Sequence, residues 1–126
     1  EKTLVILDEP EGHLHPPLLS AFIRSLSDLL THKNGVAIIA THSPVVLQET
    51  PRSCVWLIRR SGQLTTFERM EVESFGENIG RLSSEVFGLE LTQSGYHNLL
   101  RDISIKYASY DAALQQLQNQ LGSEGR

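Results

Sequence analysis

The chain has 126 residues, 40% hydrophobic and 21% charged, a composition that excludes a disordered chain and allows one domain of ordinary size. The formal net charge of −4 provides no overall positive field, so contact with DNA or RNA would require a local basic patch. The single Cys54 excludes an intrachain disulfide, and no apolar run reaches the roughly 18 residues that a membrane span needs. We therefore predict a cytoplasmic protein with no membrane partner, in which Cys54 is buried and inert.

The first predicted element is a buried β-strand that ends in two acids. Residues 4–7, Leu-Val-Ile-Leu, form an unbroken apolar run, which is typical of a central strand covered on both faces. Asp8 and Glu9 follow at its carboxyl end, and Pro10 stops the strand. Because ligands of open α/β sheets bind at the carboxyl ends of strands, the acid pair marks either a ligand site or a solvated strand exit.

The next predicted element is a helix that connects this strand to a second one. Pro16 and Pro17 suit its first turn, where a missing N–H group costs nothing. Residues 32–35, His-Lys-Asn-Gly, supply the stop. Apolar residues recur between these limits at helical spacing and should face the sheet: Leu18, Leu19, Phe22, Ile23, Leu26, Leu29 and Leu30.

A second apolar run, residues 35–40, predicts another strand, and Ser43 then begins a further helix. A strand-helix-strand unit brings both strand ends to one edge of the sheet, so His42 is expected beside Asp8 and Glu9. An acid pair and a histidine can serve a phosphate-processing site, whereas the alternative is a histidine that only caps a strand end.

Two stretches carry a family resemblance. Residues 4–16 resemble the Walker B motif and the following D-loop of an ABC-type ATPase, and residues 40–44, Ala-Thr-His-Ser-Pro, resemble its switch-histidine loop. Residues 8–16, Asp-Glu-Pro-Glu-Gly-His-Leu-His-Pro, are similar to overcoming-lysogenization-defect (OLD) ATPases, SMC-like ATPases and the ATPases of Septu and retron anti-phage systems. The resemblance implies an α/β fold: the C-terminal part of a P-loop ABC-type ATPase domain, with parallel strands and crossover helices, then a β-hairpin and a helical region.

The resemblance also implies roles for single residues. Asp8 would hold the catalytic Mg²⁺ through water, Glu9 would be the general base, and His42 would contact the γ-phosphate of ATP. The D-loop would cross the interface of an ATP-sandwich homodimer or higher oligomer, through Glu11, Gly12, His13, Leu14 and His15. The implied cofactors are ATP and Mg²⁺.

Two family motifs do not occur in the sequence. It has no Gly-x-x-x-x-Gly-Lys-Ser/Thr phosphate loop. Residues 82–85, Leu-Ser-Ser-Glu, mimic the ABC signature but follow His42 and lack its paired glycines. We therefore expect this chain to be the C-terminal portion of a longer ATPase and to be inactive alone.

Residues 52–70 have the pattern of a β-hairpin. Strands are predicted over 54–58 and 64–67, with Gly62 at the bend. Arg59 and Arg60 beside the turn are candidate contacts for the phosphates of nucleic acid, or else charges on a solvated strand edge.

The remaining residues predict helices over 74–87, from Tyr96 to about Tyr107, and over 111–121, with a connector at 88–92. Thr92 or Ser94 is expected to cap the second of these helices. The predicted domains are the ATPase portion (1–70), a helical region (71–121) and a disordered tail (122–126).

The resemblance implies ATP binding and hydrolysis by an ABC-type head in a bacterial anti-phage defence complex. The similarity of residues 73–100 to the Septu-type ATPases further implies a nuclease effector as the partner protein. One alternative is an OLD-type ATPase-nuclease, which would need acidic clusters after His42, but the acids there are scattered and contain no Asp-x-Asp. The other alternative is an SMC-like head that clamps DNA.

Overall fold

The fold begins with a strand, a helix and a second strand that pairs in parallel with the first. The strands and helices in chain order are β1 (Leu4–Asp8), α1 (Pro16–His32), β2 (Val36–Ala40), α2 (Pro44–Gln48), β3 (Leu57–Ser61), β4 (Leu64–Glu68), α3 (Ile79–Thr92), α4 (Gly95–Lys106) and α5 (Tyr110–Gln116). The register of the parallel pair runs from Leu4 opposite Val36 to Asp8 opposite Ala40. The predicted strand-helix-strand-helix order is therefore confirmed, and the mixed α/β fold is compatible with part of a P-loop ATPase.

The computed structural model describes residues 2–92 and 95–125. The chain divides into two units, Glu1–Val86 and Phe87–Arg126. None of the helices in the described ranges is both long enough and apolar enough to span a membrane.

α1 is an amphipathic helix that packs on one face of the parallel pair. Leu19 and Ile23 are buried and form a core cluster with Val46 of α2, and Ile39 of β2 packs against this cluster. Full burial of such a side chain is worth about 1.5–3 kcal/mol, so this cluster is a main source of stability for the unit. The buried stripe is narrower than predicted, because these helix residues are exposed: Leu18, Phe22 and Leu29.

The opposite face of the parallel pair is exposed. Leu4 and Ile6 of β1 are 60% and 70% exposed, and their partners Val36 and Ile38 of β2 are exposed beside them. The expectation of a strand covered on both faces is wrong for the described residues, because α1 covers only the face that carries Ile39.

A close approach at Gly35 joins α1 to β2. Asn34 adopts a left-handed backbone (φ 48°), and the N–H of Gly35 donates to the carbonyl of Leu30 at 2.7 Å. A Cβ atom at position 35 would lie 2.6 Å from Leu30 Cδ2 and 3.0 Å from the carbonyl oxygen of Thr3. A larger residue at this position would displace the Leu30 side chain and crowd the Thr3 carbonyl.

The hairpin of β3 and β4 is confirmed, with Gly62 at its bend in a left-handed conformation (φ 61°). Leu57 of β3 packs against a second core cluster, whose buried members come from four segments of the chain: Leu47, Val55, Met70 and Leu82. The hairpin begins later than predicted, because residues 52–54 form a 3-10 turn. Cys54 lies in that turn and is exposed, so the prediction of a buried thiol is wrong.

α3 begins later and ends later than predicted. Gly76 has a left-handed backbone (φ 73°), and its N–H donates to the carbonyl of Gln48 at 2.9 Å, which ties the turn before α3 to α2. Asn78 then caps the helix, since its Oδ1 accepts the N–H groups of Gly80 (2.8 Å) and Arg81 (3.2 Å). The predicted connector at residues 88–92 is helical.

α4 and α5 belong to the second unit. α4 matches the predicted helix, whereas α5 stops at Gln116, before the left-handed residues Gln118 and Asn119. The tail, predicted to be disordered, contains a 3-10 turn over Ser123–Gly125. Ser94 lies outside the described residues, and the cap at Thr92 or Ser94 stays a prediction.

Candidate functional site

The parallel ladder brings the acid pair and the histidine loop to one edge of the sheet. Asp8 lies opposite Ala40, and the N–H of Glu9 donates to the carbonyl of Ala40 at 2.8 Å. Thr41 and His42 leave the sheet directly after this last bond. The sequence prediction that these strand ends meet is consistent with the register.

Glu9 has an unusual backbone. Its φ of 46° and ψ of 58° lie in the left-handed region, where a residue other than glycine is strained by about 1–3 kcal/mol. The carboxylate Oε1 lies 3.3 Å from Nε2 of His42, and the two side chains are 60% and 77% exposed. A contact between side chains this exposed adds little stability, so it does not offset the backbone strain. Both groups are open to a ligand.

Asp8 is exposed at the end of β1. Among the residues that the structure describes, no group of three or more His, Cys, Asp or Glu side chains is arranged to hold a metal ion. Mg²⁺ is commonly bound by one or two carboxylates together with phosphate oxygens and water. The carboxylate of Asp8 therefore fits a magnesium ion that arrives with a nucleotide, whereas the described residues do not supply a site of protein ligands alone.

Glu11 points inward and holds the histidine loop. Thr41 Oγ1 lies 2.9 and 2.8 Å from its two carboxylate oxygens, and the main-chain N–H of His42 donates to Oε1 at 2.7 Å. Burial raises the pKa of this half-buried carboxyl, but the hydrogen bonds from main-chain N–H groups and from Thr41 outweigh burial and hold its pKa below the ordinary value. Glu11 is therefore an ionised acceptor at neutral pH.

Further hydrogen bonds continue the loop into α2. The N–H of Ser43 donates to Thr41 Oγ1 at 3.0 Å, and Ser43 Oγ accepts the N–H of Val45 at 3.2 Å as the helix cap. Sequence reasoning missed Thr41. The sequence contained one indication of its role: Thr41 lies two residues before the helix cap Ser43, and threonine side chains often bond the nearby backbone.

A polar cluster ties α2 to α1 behind the site. The Ser20 hydroxyl donates to the carboxylate of Glu49, and Arg24 Nη2 lies 2.9 Å from Glu49 Oε2. The bond from Ser20, together with that from Arg24, lowers the pKa of Glu49 against the effect of burial. The helix that follows the histidine loop is therefore anchored to the helix that follows the acid pair.

The five predicted D-loop residues divide into two groups. Gly12, His13 and His15 are exposed on the turn between β1 and α1. Glu11 is instead bonded to the histidine loop, and Leu14 packs against the core cluster of α1 and α2. Three of the five residues are thus accessible to another molecule.

Arg59 and Arg60 do not form a joint basic patch. Arg59 Nε lies 3.4 Å from Glu68, and its guanidinium donates to the carbonyls of Glu85 and Val86 at the side of α3. Arg60 points to the other side of the hairpin and donates to the carbonyl of Gly62 at 3.0 Å. Contact of either residue with nucleic acid stays a prediction.

Comparison with known proteins bears directly on this edge of the sheet. Residues 1–48 match a family described as "AAA domain, putative AbiEii toxin, Type IV TA system". This match supports an ATPase-like region of the AAA/ABC type over these residues. The matched stretch contains β1, α1, β2 and α2, and hence the acid pair, Glu11 and the histidine loop.

One relative matches along the whole chain. Over 126 residues the chain is 59% identical to protein ea59 of Escherichia phage lambda. The chain spans only 24% of the length of that relative. The similarity therefore extends beyond the ATPase-like region into the hairpin and the helices that follow it.

Proposed function

We propose that this chain contributes the water-activating and phosphate-sensing side of an ABC-type ATP hydrolysis site. One observation carries the proposal. Asp8, Glu9 and His42 converge at one edge of a parallel sheet, within the region that matches the AAA family. Acids and a histidine at such an edge, open to solvent, have the chemistry that phosphoryl transfer needs.

Glu9 is the proposed general base. Hydrolysis of ATP requires a group that orients a water molecule and accepts its proton, and a carboxylate can do this when it lies within hydrogen-bond reach of that water. The 3.3 Å contact with His42 supports this role, because it places an exposed carboxylate beside the imidazole at the strand end. The imidazole of His42 can then donate a hydrogen bond to the γ-phosphate.

Asp8 is the proposed magnesium residue. When bound with ATP, Mg²⁺ would neutralise negative charge on the phosphates. The carboxylate of Asp8 would accept hydrogen bonds from the water shell of the ion and so orient it at the strand end.

The rest of the site is proposed to come from outside this chain. A phosphate-binding loop does not occur in the sequence, and the phage relative is about four times as long, so we infer that other segments of a longer polypeptide supply it. We further infer that the exposed D-loop residues Gly12, His13 and His15 contact a second copy across an ATP-sandwich interface. The support is their exposure on the turn that follows Glu9.

The narrower biological proposal is a defence ATPase that acts with a nuclease effector. Its support is the resemblance of residues 73–100 to the Septu-type ATPases. In the structure, part of that segment is tied to α2, since Gln48 Nε2 donates to the carbonyl of Glu77 at 2.8 Å. We infer that this contact transmits a conformational change in the ATPase-like region to the effector.

The experiment is steady-state ATP hydrolysis by the complete polypeptide. The variant Glu9→Gln removes the charge and keeps the shape, and we expect it to abolish turnover while ATP still drives association of the subunits. Glu68→Gln is the matched control, because it makes the same change at an exposed hairpin ion pair with Arg59. Equal ATP turnover by the wild type and Glu9→Gln would show that the acid pair is only a solvated strand end and not part of a catalytic site.

A further inference from the structure

We propose that Glu11 is a positioning residue that fixes the histidine loop, and so sets the place of His42 in the nucleotide site. The inference rests on the proposed ATPase function and assigns to Glu11 a role within its own subunit. The D-loop resemblance gave this residue only a contact with the opposite subunit.

The contacts connect two loops that are distant in sequence. Glu11 belongs to the 3-10 turn Pro10–His13 after β1, whereas its partners Thr41 and His42 follow β2. One carboxylate thus accepts a side-chain hydroxyl and a main-chain N–H from the same loop. These bonds restrain both the position and the backbone orientation of His42.

Glu11 restrains His42 more strongly than Glu9 does. The pair of Glu9 and His42 is exposed on both sides, where water and salt weaken it. The bonds to Glu11 are short and charge-assisted, with distances of 2.7 to 2.9 Å, and those from Thr41 are partly buried. The restraint on the loop therefore comes from a residue that leaves the imidazole itself free to contact a ligand.

The arrangement predicts how substitutions at position 11 behave. Oε1 accepts from both Thr41 and the N–H of His42, so a glutamine oxygen can replace it. Alanine removes every acceptor and leaves the loop with its own local bonds and the exposed contact between Glu9 and His42. A misplaced catalytic group commonly costs up to about 100-fold in rate.

The test is a kinetic double-mutant cycle in the complete polypeptide, with kcat and KM for ATP measured for each variant. We expect Glu11→Ala to lower kcat by at least about tenfold while KM changes less than about threefold, and Glu11→Gln to retain most of the activity. Because Glu11 acts through His42, Glu11→Ala should have no further effect in the His42→Ala background.

Glu73→Ala is the matched control for a general structural effect. Glu73 also accepts main-chain N–H groups, from Arg52, Ser74 and Phe75, but it lies in another loop. We expect this control to leave kcat unchanged per folded molecule. A comparable loss of kcat in Glu73→Ala would overturn the inference.

The outcomes separate this inference from the proposed function. If Glu9→Gln and His42→Ala both leave turnover unchanged, the ATPase assignment and the inference fall together. If those two variants lower turnover but Glu11→Ala does not, only the inference falls. It also falls if the losses from Glu11→Ala and His42→Ala multiply.

Discussion

Replacing Thr41 with valine should loosen the histidine loop by an amount that the structure allows us to work out. The variant Thr41→Val keeps the size of the side chain and removes its hydroxyl. That hydroxyl has one proton to donate to the Glu11 carboxylate, and it also accepts the N–H of Ser43. A bond to a charged group is worth about 1.5–3 kcal/mol and a neutral bond about 0.5–1.5 kcal/mol.

Water can replace part of this loss, because the partners are only half-buried. We therefore expect the free energy of local loop opening to fall by about 2 kcal/mol, which corresponds to roughly 30-fold faster amide exchange at His42. The assay is site-resolved hydrogen exchange at neutral pH. Thr65→Val on the exposed strand β4 is the matched control and should leave the exchange at His42 unchanged.

The effect should also depend on pH in a defined direction. Since the folded state lowers the pKa of Glu11, its contribution is present above the ordinary carboxyl value of 4.5 and is lost as the pH falls through the lowered value. After correction for intrinsic exchange, the ratio between Thr41→Val and wild type should shrink in acid. A ratio below about threefold at neutral pH, or one that does not change with pH, would show that the bond between Thr41 and Glu11 does not hold the loop.

Three further predictions concern the surroundings of the site. Leu82→Ala should lower the free energy of unfolding by about 3–5 kcal/mol, because this side chain is fully buried. Leu82→Met should lower it by less than about 1.5 kcal/mol. The measurement is urea unfolding, and equal shifts of the midpoint for the two variants would contradict this prediction. Cys54 should react with a maleimide in the folded protein, and a thiol that is modified only in denaturant would contradict its exposure. The N–H groups of Arg52, Phe75 and Ser74 lower the pKa of Glu73, so the protection of the Ser74 amide, corrected for intrinsic exchange, should be lost only below pH 4.5. Loss of this corrected protection at higher pH would argue against these bonds.

The core of the fold could be predicted because its signals are local. Two unbroken apolar runs separated by a proline-initiated helix specify strands and a crossover, and Ser43 marks the start of α2. The parallel direction of the two strands then follows from the crossover, and with it the placement of Glu9 and His42 at one edge. The sequence therefore predicted the part of the candidate site that lies at the strand ends.

The features that sequence reasoning missed depend on contacts between distant residues. The position of the Glu11 side chain depends on its bond to Thr41, thirty residues further along the chain. Nothing in the sequence around Glu11 distinguishes it from the exposed His13. The late start of α3 similarly depends on the bond between Gly76 and Gln48. Cys54 was misjudged because the apolar residues after it belong to the hairpin, whereas Cys54 itself lies in a 3-10 turn.

In the proposed site, Glu9 activates the water that attacks ATP. The most direct measurement identifies the nucleotide that is recovered from Glu9→Gln and from wild type after incubation of the complete polypeptide with ATP and Mg²⁺. We expect intact ATP from Glu9→Gln and ADP from the wild type. Recovery of ADP from both proteins would contradict the assignment of Glu9 as the base.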